Sequence, residues 1–121
     1  MIERSKPQGV FRMFRALAYS WQGLKAAWHD ERAFREEVVL GALVIPAGIY
    51  FGHTGLERAA LVAPMFLVLI IELLNSGLEA IVDRDSLDRD RLAGMAKDVG
   101  SAAVLLSLAL LVVVWVLVLS G

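Results

Sequence analysis

Three carboxylates and an amide break an apolar stretch of the chain: Glu72, Glu79 and Asp83, with Asn75. On a helix the three carboxylates fall within about 40° of one another, with Asn75 about 60° to one side. Asp83 follows Glu72 at a distance of about 16 Å along the helix axis. Glu31, Glu36 and Glu37 precede the first apolar run, and Lys97 and Asp98 lead into the last one. Several carboxylates with an Asn, and no His or Cys among them, favour a hard divalent cation held by oxygen, which points to Mg²⁺ accompanied by a nucleotide phosphate. A glutamate held away from water suits a general base. Glu72 is the candidate, with Lys97 neutralising phosphate charge. Glu36, Glu37 and the loop charges are expected to form a solvated face at an interface. There is no G-x-x-x-x-G-K-[ST], no G-x-G-x-x-G and no soluble-kinase catalytic loop.

The elements that must carry these residues are apolar to an unusual degree. The 121 residues are 58% hydrophobic and 21% charged, against roughly 45–50% apolar in ordinary soluble domains. So short a chain cannot bury that excess in water, and a bilayer is the natural solvent. The absence of cysteine excludes a disulfide framework or thiolate metal site. A net charge of -1 argues against nucleic acid as a partner.

Residues 38–56, 59–71 and 99–121 contain no Asp, Glu, Lys or Arg. About 20 residues are needed to cross the hydrocarbon core. The middle run reaches that length only by continuing through Glu72 to Val82, which takes the carboxylates into or near the membrane. Such groups must face protein or water, so the stripe is expected to pack against further copies of the chain.

Ahead of the spans, Val10, Phe14, Leu17, Trp21, Leu24 and Trp28 share one helical face opposite basic and polar residues, as in a helix lying on a membrane surface. Gly23 could bend it, Asp30 is expected to cap the next helix, and Pro46 and Pro64 are expected to kink their spans. Seven of the 12 Lys and Arg precede the first span and four lie between the second and third, with Arg58 alone in the other loop. The positive-inside bias places the N-terminus and the residue 83–98 loop in the cytoplasm. His29 and His53 then lie on opposite sides and cannot share a metal.

The expected architecture is an all-α integral membrane protein: a single domain, 1–121, with a surface helix at about 8–28 and transmembrane helices at about 33–53, 59–83 and 98–120. It assembles as a homo-oligomeric bundle. Two functions fit the residues. One is a membrane phosphotransferase acting on a lipid, and the other is a proton-conducting oligomer that uses Glu72. A bare proton carrier needs only the buried carboxylate; a nucleotide enzyme also needs metal ligands and a phosphate cation.

The blocks Tyr19-Ser20-Trp21 through Trp28, Ala33-Phe34-Arg35, Glu72 through Arg84 (E-x-x-N-S-x-x-E-A-x-x-D-R) and Ala96 through Val104 (A-K-D-x-G-S-A-A-V) resemble the prokaryotic diacylglycerol kinase family. The resemblance implies a homotrimer in the bacterial inner membrane, multi-pass with its N-terminus cytoplasmic, whose active sites are shared between chains. It implies transfer of the ATP γ-phosphoryl group to diacylglycerol, giving phosphatidic acid; undecaprenol is the alternative acceptor within the family. Glu72 matches the general base, Asn75 an active-site polar residue, and Glu31 and Glu79 the Mg²⁺ ligands that also orient the nucleotide. Tyr19, Lys97 and Asp98 match nucleotide contacts. Arg12, Ser20, Trp21, Arg35, Ser101 and Trp115, together with Glu72, match positions that meet the lipid. The loop of residues 85–91 keeps the family's length but not its usual side chains; Asp88, Arg89 and Asp90 stand at its nucleotide-contact positions. Gly77 stands where the family often has Ala.

Overall fold

The computed structural model describes residues 9–85 and 90–121, which form four helices and no strand. Helix α1 spans Val10–Asp30, α2 Arg32–Phe51, α3 Gly55–Asp85 and α4 Arg91–Ser120. Residue 8, the expected start of the surface helix, lies outside the described residues.

Gly9 precedes α1 with φ 60, a left-handed conformation that L side chains rarely adopt. The helix continues through Gly23 to Asp30 and buries only Ala27. Val10, Phe14, Leu17, Trp21, Leu24 and Trp28 are all exposed, so no other described part of the same chain covers this apolar face.

The α1–α2 junction differs from expectation. Asp30 is the last residue of α1, and the extended Glu31 (φ -115, ψ 106) caps both helices. The Asp30 carboxylate instead meets His29 Nδ1 at 2.7 Å. Arg35 donates through Nη1 to the carbonyls of Trp28 (2.7 Å) and His29 (3.0 Å). These carbonyls belong to the last turn of α1, where acceptors lack helical partners and a cation is favoured. Arg58 repeats the device one helix later: its Nε donates to Ile49 O (3.1 Å) and Gly52 O (3.2 Å) at the end of α2. A Cβ on Gly52 would come within 2.8 Å of Arg58 N, so this close turn requires glycine.

The start of α3 is fixed by Thr54 and Glu57. Thr54 Oγ1 accepts from Glu57 N (3.1 Å), while Glu57 Oε1 accepts from His53 N (2.9 Å), a variant of the capping box. Helix α4 starts at Arg91, earlier than the apolar run suggests, because Asp90 Oδ1 accepts from Ala93 N at 2.7 Å. Pro46 and Pro64 lie within helices that continue past them.

Packing follows seven-residue stripes. On α2 the buried positions are Phe34, Gly41 and Gly48. A Cβ on Gly48 would meet Leu61 Cβ and Val62 Cγ2 at 3.1 Å, so the glycine permits close approach of α3. On α3 the buried seam runs Leu61, Met65, Val68 and Glu72, spaced four, three and four residues apart. On α4 it runs Gly100, Ser107 and Leu111. Met65, Val68 and Leu111 form a small core with Leu40, Val44, Leu108 and Trp115 around it, and the indole N–H of Trp115 donates to Leu61 O at 2.9 Å.

Helices α3 and α4 are long and apolar enough to cross a membrane, over Gly55–Arg84 and Arg91–Ser120. Only 22% and 11% of their most apolar windows are buried within the chain, unlike core helices of a soluble protein. Of the three spans expected, α2 does not meet the same length and composition: its 20 residues include Arg32, Arg35, Glu36 and Glu37 in the opening turns.

Candidate active site

The inner seam of α3 changes character at Glu72. Its apolar positions 61, 65 and 68 are followed at the same spacing by Glu72, Asn75 and Glu79, so one face that packs the core lower down carries polar groups above it. Glu72 is only 5% exposed, and Ser76 Oγ donates to its Oε2 at 3.3 Å. Asn75 lies against α4 at Gly100, where an added Cβ would collide with the Asn75 Oδ1 atom. That Oδ1 is buried with no hydrogen-bond partner.

Beside this face, α1 and α3 enclose a cleft of about 600 Å³. Ser20, Gly23, Leu24, Ala26, Ala27, Asp30 and Glu31 line one wall, and Leu73, Ser76, Gly77 and Ala80 the other. The short side chains on both walls leave the space between the helices unfilled. Glu72 is not in the lining; Ser76 stands between it and the cleft. Glu31 lines the cleft, and its carboxyl is held above the ordinary glutamate range by burial first, then by the charges of Glu79, Glu72, Asp30 and Asp83. Lys97 Nζ donates to Asp83 Oδ1 at 2.8 Å and ties α4 to α3 at this end of the bundle.

Glu31, Glu72, Asn75, Glu79, Asp83 and Lys97 are thus collected at one end of the chain. Other expected site residues are placed differently. Tyr19 and Trp21 are exposed on α1, Trp21 with Lys25 Nζ 5.9 Å from its ring centre. Ser20 lines the cleft while its hydroxyl donates to Ala16 O (2.8 Å). Arg12 precedes Ala27 by about 22 Å along α1, so a single chain does not bring it to the carboxylates. Arg35 closes the end of α1, and Asp90 caps α4. Asp98 and Ser101 are exposed on α4. Trp115 contacts Leu61, about 16 Å along α3 from Glu72. Asp88 and Arg89 lie outside the described residues.

One residue expected on a solvated face belongs to the site instead. Glu37 is half-buried on α2, with one carboxyl oxygen, Oε2, buried and without a hydrogen-bond partner. Its position follows Phe34 by three and precedes Gly41 by four, which places it on the buried stripe of α2. That spacing was the available signal. Ser76 and Gly100 were likewise visible only as members of sequence blocks.

Among the described residues, no three acidic or imidazole side chains converge as a metal centre. Glu31 and Glu79 are nonetheless near enough for mutual repulsion. Two carboxylates fit Mg²⁺, which commonly takes one or two from protein and completes its shell with water and phosphate oxygens.

The prokaryotic diacylglycerol kinase family model matches residues 18–119. The diacylglycerol kinase of Escherichia coli K12 is 41% identical over 111 residues, covering 92% of this chain and 91% of that protein. The diacylglycerol kinase of Pseudomonas aeruginosa is 43% identical, covering 93% and 92%, and that of Haemophilus influenzae 40%, covering 91% and 93%. The chain belongs to the prokaryotic diacylglycerol kinase family. It is an enzyme and a lipid kinase by membership, and its apolar helices make it a membrane protein. Of the two functions that fit the residues, membership favours phosphoryl transfer over proton conduction.

Proposed function

We propose that the protein transfers the γ-phosphoryl group of ATP to the primary hydroxyl of diacylglycerol, giving phosphatidic acid and ADP at the cytoplasmic surface of the inner membrane. The observation that carries this reading is a nearly water-free carboxyl, Glu72, held by Ser76 beside a cleft between a surface-seeking helix and a membrane-spanning one. The acceptor hydroxyl enters from the bilayer, and Glu72 removes its proton as the oxygen attacks phosphorus. Ser76 orients the base, and Asn75 supplies an amide beside it. Lys97 exchanges Asp83 for nucleotide phosphate, with Tyr19 and Asp98 as further nucleotide contacts. Glu31 and Glu79 would hold Mg²⁺, which when bound neutralises phosphate charge.

In this reading α2 is the third transmembrane helix, α1 lies on the cytoplasmic membrane surface through Trp21 and Trp28, and the N-terminus is cytoplasmic. Three chains assemble with shared active sites. Arg12 of one chain, too far along α1 to serve its own carboxylates, serves a neighbouring chain. Arg35, Ser101 and Trp115 meet the lipid away from the reacting hydroxyl. The test is a radiolabelled-ATP assay of the reconstituted protein with diacylglycerol and undecaprenol offered in parallel. Labelled phosphatidic acid is expected; label confined to the prenol changes the acceptor, and label in neither lipid rejects the reading.

A further inference from the structure

The ion pair that joins α3 to α4 at the cleft end of the bundle has unequal partners. Lys97 Nζ donates to Asp83 Oδ1 at 2.8 Å across 14 residues of chain. The lysine side chain is 29% exposed and the aspartate 62%. The cation is thus held largely within the bundle, while the anion is mostly in water and can leave at little cost. Asp83 also lies close enough to Glu31, which lines the cleft, to act on its charge, so the pair stands at the edge of that cleft. Around it are Glu79 one turn earlier on α3, Glu31 at the α1–α2 junction, Arg84 after Asp83 and Asp98 after Lys97. A bare ammonium here would attract any phosphate near it; Asp83 meets that ammonium first.

The geometry points to Asp83 as an internal competitor for phosphate: its carboxylate occupies the place on Lys97 that a phosphate oxygen takes, so any ligand that uses this ammonium must displace it. This rests on Lys97 being the phosphate contact of the proposed function. The cost of displacement is the same for every such ligand, and ligands differ in what offsets it. A nucleoside triphosphate brings further contacts through its other phosphates and its base, and it binds despite the exchange. A lone phosphate, either inorganic phosphate or the headgroup of phosphatidic acid, trades one ion pair for another and gains little. Asp83 thereby keeps Lys97 clear of single phosphates, and its return to the ammonium helps to release the phosphate of the product lipid.

Direct binding to the full-length protein in phosphatidylcholine nanodiscs tests the assignment, with β,γ-methylene-ATP as the nucleotide so that no turnover intervenes. Asp83→Asn is expected to bind the analogue about two- to fivefold tighter than the parent, the range of an exposed ion pair, with an unfolding midpoint close to the parent's. The inhibition constants of inorganic phosphate in solution and of phosphatidic acid in the disc should fall by the same factor. A fall for one of them supports the proposal and identifies which lone phosphate reaches Lys97. Lys97→Met is expected to weaken binding of the analogue, and adding Asp83→Asn to it should change nothing.

An unchanged or weaker affinity in Asp83→Asn overturns the proposal; a lower unfolding midpoint with it would leave the pair a structural tie between α3 and α4. A gain for the analogue with none for either lone phosphate overturns it as well. So does an equal gain in the Lys97→Met background, because the effect would then belong to a general loss of negative charge and not to exchange on one ammonium. The binding cycle does not depend on turnover: if the parent binds the analogue but phosphorylates neither lipid with ATP, the proposed function fails while the cycle still decides the role of Asp83.

Discussion

Glu72 and Glu79 share one helical stripe, and the proposed function gives them two different tasks. Glu72 is enclosed and bonded to Ser76, whereas Glu79 is near enough to Glu31 for mutual repulsion. Glu72→Gln is therefore expected to lower kcat by at least about a hundredfold while ATP still binds, measured by nucleotide titration of the folded variant. Glu79→Gln and Glu31→Gln should instead raise the Mg²⁺ concentration needed for half-maximal rate; an unchanged requirement in both would remove the metal assignment. The carboxylate stripe was legible because charge in an apolar run is conspicuous at any spacing. Glu37 was not, because it lies among charges at the start of a helix and only its neighbours Phe34 and Gly41 reveal which way it faces. The environment of Asn75 was equally hidden, since it depends on the missing side chain of Gly100 on another helix.

The fit of α3 to α4 depends on that glycine. In Gly100→Ala the new methyl would displace the Asn75 amide and press on Leu78 Cδ2, 3.3 Å away. The expected cost is about 1–3 kcal/mol of stability, read by denaturation in detergent, together with loss of turnover. Adding Asn75→Ala should relieve part of the stability loss without restoring activity, a coupling that a double-mutant cycle measures. Trp115→Phe should cost about 1 kcal/mol through the lost bond to Leu61 O, with the KM for ATP unchanged. Helical content was readable from the apolar runs and from the i, i+3, i+4 pattern of α1. Helix ends were less so. Charge-free runs mark where hydrocarbon can lie, but α4 begins at the cap Asp90, and α1 extends to Asp30 because Arg35 from the next helix satisfies its last turn.

As a whole, the chain is far from self-sufficient. Most of its apolar surface on α3 and α4 is open, α1 covers little, and Arg12 cannot reach the carboxylates. A bilayer accounts for the first two facts; in the proposed function a neighbouring copy accounts for the third. Co-reconstituting Arg12→Ala with Glu72→Gln is expected to give more lipid phosphorylation than either variant alone, since mixed oligomers would pair an intact Arg12 with an intact Glu72. No gain from well-mixed oligomers would reject sharing of this residue. Composition identified the solvent, but it could not give the number of chains, which depends on shape at faces that one copy leaves open. The turn between α2 and α3 has a different bearing, on how the chain enters the membrane. In the proposed orientation Arg58 is the cation that must be translocated with this hairpin. Once across, its guanidinium binds Ile49 O and Gly52 O, so retreat would require breaking both bonds and dehydrating the charge again. In that orientation, the residue that departs from the charge bias of the loops is also the one that closes the turn carrying it.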